Sequence, residues 1–145
     1  MAQNVIPFNV DELVCNKFEI YGELSPGETD VRTGFTFGVH IPSHHVRCRI
    51  LYQYLQNDKL LLEMDLTTSY DIQPEAMQKM VEGDKFVIKP YFSQYLATIN
   101  VGAARGEIHA RSEMAKSSFE DAILPPINLV EALPEDIIID IESAQ

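Results

Sequence analysis

The chain has 145 residues, 46% hydrophobic and 23% charged, with a formal net charge of -11; this describes one globular domain that needs no disulfide or metal to fold. The acidic balance argues against nucleic acid and against anionic membrane surfaces, both of which call for clustered Lys and Arg. No apolar run approaches the length of a membrane span, Cys15 and Cys48 lack metal or disulfide-framework spacing, and the N-terminus lacks signal-peptide order, so the expected location is cytoplasmic.

Residues 1–11 are expected to be loose, with Ile6 and Phe8 as apolar anchors. Residues 17–24 alternate, Phe18 and Ile20 against Lys17, Glu19, Tyr21 and Glu23, as a half-buried strand does. Ser25-Pro26-Gly27-Glu28 has turn chemistry. A second strand over 31–41 puts Val31, Phe35, Phe37, Val39 and Ile41 on one face and Gly34 and Gly38 on the other, where a bulge or a close approach is expected. The third strand, 45–56, carries Val46, Cys48, Ile50, Tyr52 and Tyr54 on one face; the fourth, 59–70, carries Leu60, Leu62, Met64 and Leu66.

The register of the last hairpin follows from its apolar rows. A two-residue Asn57-Asp58 turn pairs Tyr52 with Glu63 and mixes the rows. A shift of one residue pairs Gln56 with Leu60, Tyr54 with Leu62, Tyr52 with Met64 and Ile50 with Leu66, leaving one face wholly apolar. A three-residue loop or bulge at 57–59 is therefore expected. The opposite face then shows Leu55 beside Leu61, Gln53 beside Glu63 and Arg49 beside Thr67, with Tyr21, Leu51, Leu55 and Leu61 exposed.

Residues 74–80 form a short helical turn, and 86–88 are a brief strand or the approach to a helix. Pro90 suits the first turn of a long helix over 91–114. Phe92, Leu96, Ile99, Ala103, Gly106, Ala110 and Met114 recur at steps of three or four along it. Gly102 and Gly106 each cost a helix about 1 kcal/mol relative to alanine. Either the core tolerates them, or a second helix packs closely there, from another subunit. Pro125-Pro126 stops the pattern, and the acidic remainder contains Ile137-Ile138-Ile139-Asp140-Ile141, compatible with a strand, a helix or a partner-binding tail. The expected architecture is an α+β single domain over 1–145. A four-stranded antiparallel meander sheet is packed by one long helix in the C-terminal half, then a short Pro-rich tail. Residues 1–11 and 131–145 are expected to be flexible or partner-contacting.

Catalytic chemistry is poorly represented. His40 and His44 flank Pro42 but have no third ligand nearby for zinc. His109 falls between Arg105 and Glu113 at helical spacing, as in an exposed charge ladder. Cys48 lies on an apolar strand face, and no phosphate loop or nucleophile elbow is present. No enzyme activity, cofactor or metal is expected. Exposed apolar residues, an acidic surface and a close-packing helix fit an oligomeric binding protein.

Several strings then fit one family. Four antiparallel strands, a long helix and a closing Pro125-Pro126-Ile127-Asn128-Leu129 resemble the SecB family of protein-export chaperones. So do Ala104-Arg105 in the helix, Lys17-Phe18-Glu19 in the first strand and Leu61-Leu62-Glu63-Met64 in the fourth. The likeness covers roughly residues 12–130, and the long helix resembles the divergent SecB-like branch. It implies a homotetramer built as a dimer of dimers, with the long helices between subunits, here through Ile99, Ala103, Gly106 and Ala110. It implies ATP-independent holding of unfolded precursor proteins in apolar grooves, for which Phe35 and Phe37 are the candidates. It further implies delivery to a SecA-type translocase motor through Glu19, Leu61 and Glu63; a further acidic position of the family's first strand falls on Cys15. The alternatives are an adaptor dedicated to one partner, such as an antitoxin, and a small-molecule binder or enzyme.

Overall fold

Period-two alternation becomes strands β1 (Phe8–Ile20), β2 (Asp30–His40), β3 (His45–Gln56) and β4 (Lys59–Ile72) in a computed structural model that describes residues 6–121 and 127–141. The sheet order is β1-β4-β3-β2. β2, β3 and β4 are the expected meander, but β1 lies beside β4 and not beside β2, which makes the sheet a Greek key. The nine residues between β1 and β2 explain the difference. They cross the end of the sheet instead of turning back: Ser25 N and Oγ donate to Gln56 Oε1 at 3.0 and 2.9 Å, and Leu24 N donates to Ser118 Oγ at 2.8 Å.

β1 also begins nine residues earlier than expected, so residues 8–11 are strand and not loose. Phe8 pairs with Ile72, and its ring meets Tyr70, Phe92 and Tyr95 edge-on, each at a centroid distance of 5.6 Å. Two irregularities in the β1–β4 ladder, between Val10 and Glu12 and between Cys15 and Lys17, hide this pairing from a strict alternation.

The hairpin between β3 and β4 satisfies both competing demands. Asn57 and Asp58 have φ of 54° and 61°, so they form a two-residue primed turn that pairs Gln56 with Lys59. Leu61 is then bulged out of the ladder, and beyond it Tyr54 faces Leu62, Tyr52 faces Met64 and Ile50 faces Leu66. The pairs from Tyr54–Leu62 onward are as expected, but Gln56 meets Lys59 and not Leu60, and Leu55 meets Leu60 and not Leu61, because the correction to register sits at Leu61 and not in the loop. The β2 glycines sit in an unbulged ladder opposite Leu51 and Arg47. At Gly38 the Arg47 guanidinium comes close, and at Gly34 the space is open.

A second small sheet has the order β5-β6-β7, from β5 (Val81–Glu82), β6 (Lys85–Ile88) and β7 (Ile137–Asp140). Helix α1 (Pro74–Gln78) leads into it, and Gly83, with φ of 65°, makes the turn between β5 and β6. The C-terminal Ile-rich segment is therefore a strand. Ahead of it lies α3 (Leu129–Ala132), capped by Asn128, whose Oδ1 accepts from Glu131 N at 3.2 Å.

Helix α2 spans Pro90–Met114, with Pro90 at its first turn. Its end needs no proline. Lys116 adopts φ of 54°, Ser117 N donates to Ser112 O at 2.9 Å and Lys116 N to Glu113 O at 3.1 Å. This is a Schellman closure with lysine where glycine is usual. Pro125-Pro126 lies outside the described residues. The buried face of α2 is Phe92, Ser93, Leu96, Ala97, Asn100, Val101, Ala104, Ile108 and Ser112. Alanines 97 and 104 let the backbone approach β3 and β4. The first half of α2 packs on Val46, Cys48, Tyr70 and Ile72, the second on Ile50, Tyr52, Leu62, Met64 and Leu66.

Polar contacts fix this seat. Asn100 Nδ2 donates to Cys48 O at 3.0 Å and to Thr68 Oγ1 at 3.2 Å, and Tyr70 Oη donates to Leu96 O at 2.7 Å. Breaking such a buried set removes the closer of two side-chain donors to Cys48 O, the other being Thr68 Oγ1 at 3.3 Å. Asn100→Ala is therefore expected to destabilise the fold by about 1–3 kcal/mol, read as a lower urea midpoint with unchanged m value; an unchanged midpoint would contradict this role.

Candidate functional site

The helix covers the two central strands and leaves the inner faces of both edge strands partly open. On the β2 side, Val31, Phe35 and Phe37 are half-buried, and Phe35 packs against both core clusters. Ile127 and Leu129 of the returning chain are half-buried against the same clusters, whereas Ile99 and Ala103, also half-buried, share the helix side of Tyr95 and Ala110, whose neighbours Phe8 and Phe18 belong to β1. The inner row of β2 and the returning chain thus form an apolar seam. Ile127 and Leu129 also line, with Tyr91, Gln94, Tyr95, Thr98 and Val130, a groove of about 570 Å³ at the start of α2. On the β1 side, Phe18, Glu107, Ala110, Arg111, Met114 and Ala115 line a second open groove of about 530 Å³. There the Arg111 guanidinium sits 5.9 Å from the Phe18 ring centroid and pairs with Glu107 at 2.8 Å.

Phe35 and Phe37 therefore lie in the seam. The Tyr91, Tyr95 and Val130 wall was not expected. Its signal was two tyrosines four apart, one position out of phase with Phe92 and Leu96.

The helical stripe read from the sequence divides. Phe92 and Leu96 are core, Ile99 and Ala103 are half-buried, and Gly106, Ala110 and Met114 face outward, Met114 with 84% of its surface exposed. An i, i+4 ridge of Thr98, Gly102, Gly106 and Ala110 is exposed, and neither glycine has another group within 4 Å of where a Cβ would stand. Nothing among the described residues of the chain itself requires glycine there.

The outer sheet face is polar and tightly paired. Glu19 and Glu63 are direct cross-strand neighbours, a like-charge placement that costs stability unless offset. Lys17 Nζ offsets it at 2.8 Å from Glu63 Oε1, while Gln53 Nε2 donates to Oε2 at 2.8 Å and Tyr21 Oη to Oε1 at 3.3 Å. The bond from Lys17, then that from Gln53, holds the Glu63 carboxyl below its usual value. Asp65 is held low chiefly by Arg49, with Asn16 Nδ2 donating at 3.1 Å.

Tyr21 and Leu51 are exposed as expected, but Leu55 and Leu61 are buried, with 7% and 5% of their surface accessible. The Leu61 bulge is the reason. Its carbonyl accepts from Tyr21 N at 2.7 Å, and a Cβ on Gly22 would stand 3.0 Å from Leu61 Cδ2. The connector leaving β1 thus lies over Leu61.

The histidines meet a serine. Ser43 Oγ lies 2.7 Å from His40 Nδ1 and 2.8 Å from His45 Nδ1, and His45 Nε2 lies 3.2 Å from Asp11. His40 thus shares a partner with His45 and not with His44. His109 Nε2 lies 3.4 Å from Glu113 in an exposed i, i+4 pair. Burial pushes the Cys48 thiol up to about 12, so it is not a nucleophile near neutral pH. Among the described residues no three His, Cys, Asp or Glu side chains converge as metal ligands, and no helix is long and apolar enough to cross a membrane.

No protein-family model matches the chain, and no curated protein sequence matches it. Its fold is similar to that of the Rv1957 SecB-like chaperone of Mycobacterium tuberculosis, solved in complex with a ChAD peptide from the Rv1956 HigA1 antitoxin. The TM-score is 0.55 at 11% identity, over 83% of this chain and 90% of that one. The likeness is one of fold: a SecB-like α+β arrangement of a four-stranded antiparallel sheet and a long helix.

The depressed carboxyls set a pH dependence. A carboxyl lowered in the folded state binds fewer protons folded than unfolded just below its ordinary value, 4.5 for Glu and 3.8 for Asp. Its stabilisation is present above that value and is lost as pH falls through the folded one. Between about pH 5 and pH 3, the Glu63→Gln/Asp65→Asn double variant is expected to lose less stability than the wild type. Equal slopes in pH-dependent denaturant melts would show that these pairs do not couple to folding.

Proposed function

We propose that this chain is an ATP-independent holdase that takes up unfolded polypeptide on its apolar seam. The observation carrying the reading is the half-buried row of Val31, Phe35 and Phe37 on β2, with Ile127 and Leu129 of the returning chain half-buried against the same clusters. A row of this kind gains about 25 cal/mol for each Å² of apolar client surface it removes from water. It can take many sequences, because apolar contact has no direction. The fold likeness to a SecB-like chaperone supports this, and the remaining surface, acidic overall, keeps an apolar-lined protein dispersed.

Assembly is part of the reading. The exposed Thr98, Gly102, Gly106 and Ala110 ridge, with Ile99 and Ala103 at its border, suits close approach of a second helix, and a tetramer would join several seams so that weak contacts add. Delivery to a SecA-type motor would use the outer face at Glu19, since Leu61 is buried beneath the connector and Glu63 is held by Lys17, Gln53 and Tyr21. A narrower use, with one dedicated client, is favoured by the neighbour's complex with an antitoxin-derived peptide.

The purified protein is expected to slow aggregation of a diluted unfolded client at stoichiometric amounts. Phe35→Ser should weaken this several-fold while leaving a cooperative melt. Failure of the wild type to slow aggregation of any client would end the holdase reading. Capture from lysate separates the two uses: many precursors for a general holdase, one protein for a dedicated adaptor. Gly106→Leu is expected to lower the mass seen by light scattering, and an unchanged oligomer in a well-folded variant would count against the helix interface.

A further inference from the structure

β7 is a four-residue edge strand seated on the half-covered apolar face. Ile137 and Ile139 are half-buried and Ile138 is exposed, so the segment has one apolar side. With Ile141, that side packs on the cluster holding Val39, Phe86 and Ile88, against which Phe37 also packs, and β7 lies against β2. Its backbone pairs antiparallel with β6, Lys85 opposite Asp140 and Ile88 opposite Ile137. A cation frames each end: Lys89 Nζ lies 2.9 Å from Asp136 and Lys85 Nζ 3.4 Å from Asp140.

We propose that β6 and the apolar face beside it form a strand-binding seat, and that β7 is its displaceable resident. The client segment the seat fits is extended, apolar at alternate positions, with an acidic residue at each end. The biological use rests on the client-binding reading above; the seat itself is defined by what β7 does in it. Strand addition draws affinity from main-chain hydrogen bonds and selectivity from the alternate side chains, and β7 displays both. Lys85 and Lys89 supply charge complementarity on a chain whose net charge is -11.

The resident is held lightly. It is four residues long, its inward isoleucines remain partly exposed, and both ion pairs are solvent-accessible, the features of a segment that opens locally before the fold does. A tethered resident competes at high effective concentration, so it lowers the apparent affinity for any incoming strand by the fraction of time the seat is filled. It also shields the β6 edge when no client is present.

The test uses the full chain and a fluorescent synthetic peptide, Pro-Glu-Asp-Ile-Ile-Ile-Asp-Ile, copying residues 134–141. Two variants loosen the resident: Asp136→Lys/Asp140→Lys, which alters only surface charge, and Ile137→Ser/Ile139→Ser, which removes the apolar side. Each is expected to bind the peptide at least about fivefold more tightly than the wild type. A peptide carrying serine in place of the isoleucines that copy Ile137 and Ile139 should lose that binding. Equal affinity across wild type and the charge variant, or binding indifferent to the serine replacements, would overturn the proposal. Client aggregation is scored separately. A protein that shows the peptide shift without holding clients keeps the seat and loses the chaperone reading; one that holds clients without the shift loses the seat.

Discussion

One helix cannot cover four strands. Strands lie about 4.8 Å apart, and an α-helix with its side chains is roughly 10 Å across. α2 is seated over β3 and β4, where Asn100 and Tyr70 lock it by hydrogen bonds to Cys48, Thr68 and Leu96. The inner rows of β1 and β2 are left at the margins, and the openings follow from that. Phe18 faces a groove on one side, and Phe35 and Phe37 face a seam on the other.

The rest of the chain manages those margins. The β1–β2 connector crosses the sheet end and covers Leu61, while a one-turn 3-10 segment, Ser118–Asp121, sets Phe119 edge-on against Tyr54 at 5.0 Å. The β2 margin is closed by chain that returns from far away in sequence, with Leu129 and Leu133 packed on the first cluster and β7 added to β6. That closure is partial, and the partial closure is what turns a packing deficit into a candidate binding surface. The outer sheet face is managed differently, by pairing: Lys17, Gln53 and Tyr21 around Glu63, and Arg49 with Asn16 around Asp65.

Legibility from the sequence followed locality. Tyr54, Tyr52 and Ile50 could be matched to Leu62, Met64 and Leu66 because row consistency is a local demand of the hairpin. The site of the correction could not. The Asn57-Asp58 turn chemistry and the apolar rows disagree by one residue, and a bulge at Leu61 absorbs the disagreement, which takes with it the exposure expected of Leu61 and Leu55. β1 was read short because its ladder slips twice and because its partner is β4, nearly fifty residues away at Phe18–Met64. On α2 a stripe at steps of three and four described a helix face but drifted across it. Small residues suit both a buried and an exposed face, so Ala104 and Gly106 could not be separated by type. Phe35 and Phe37 are legible as aromatics on one face of a strand, whereas Ile127, Leu129 and β7 reach that margin only through the tertiary return of the chain.

Two surfaces of opposite character thus occupy opposite faces of one sheet: a paired polar outer face, and an inner apolar seam that the helix is too narrow to close. Backbone hydrogen exchange with and without an unfolded client tests this division most directly. New protection is expected along β2, Asp30–His40, and in the first turns of α2, with the outer-face network around Glu63 unchanged. Protection appearing instead on the outer face, with β2 exchanging as in the free protein, would contradict it.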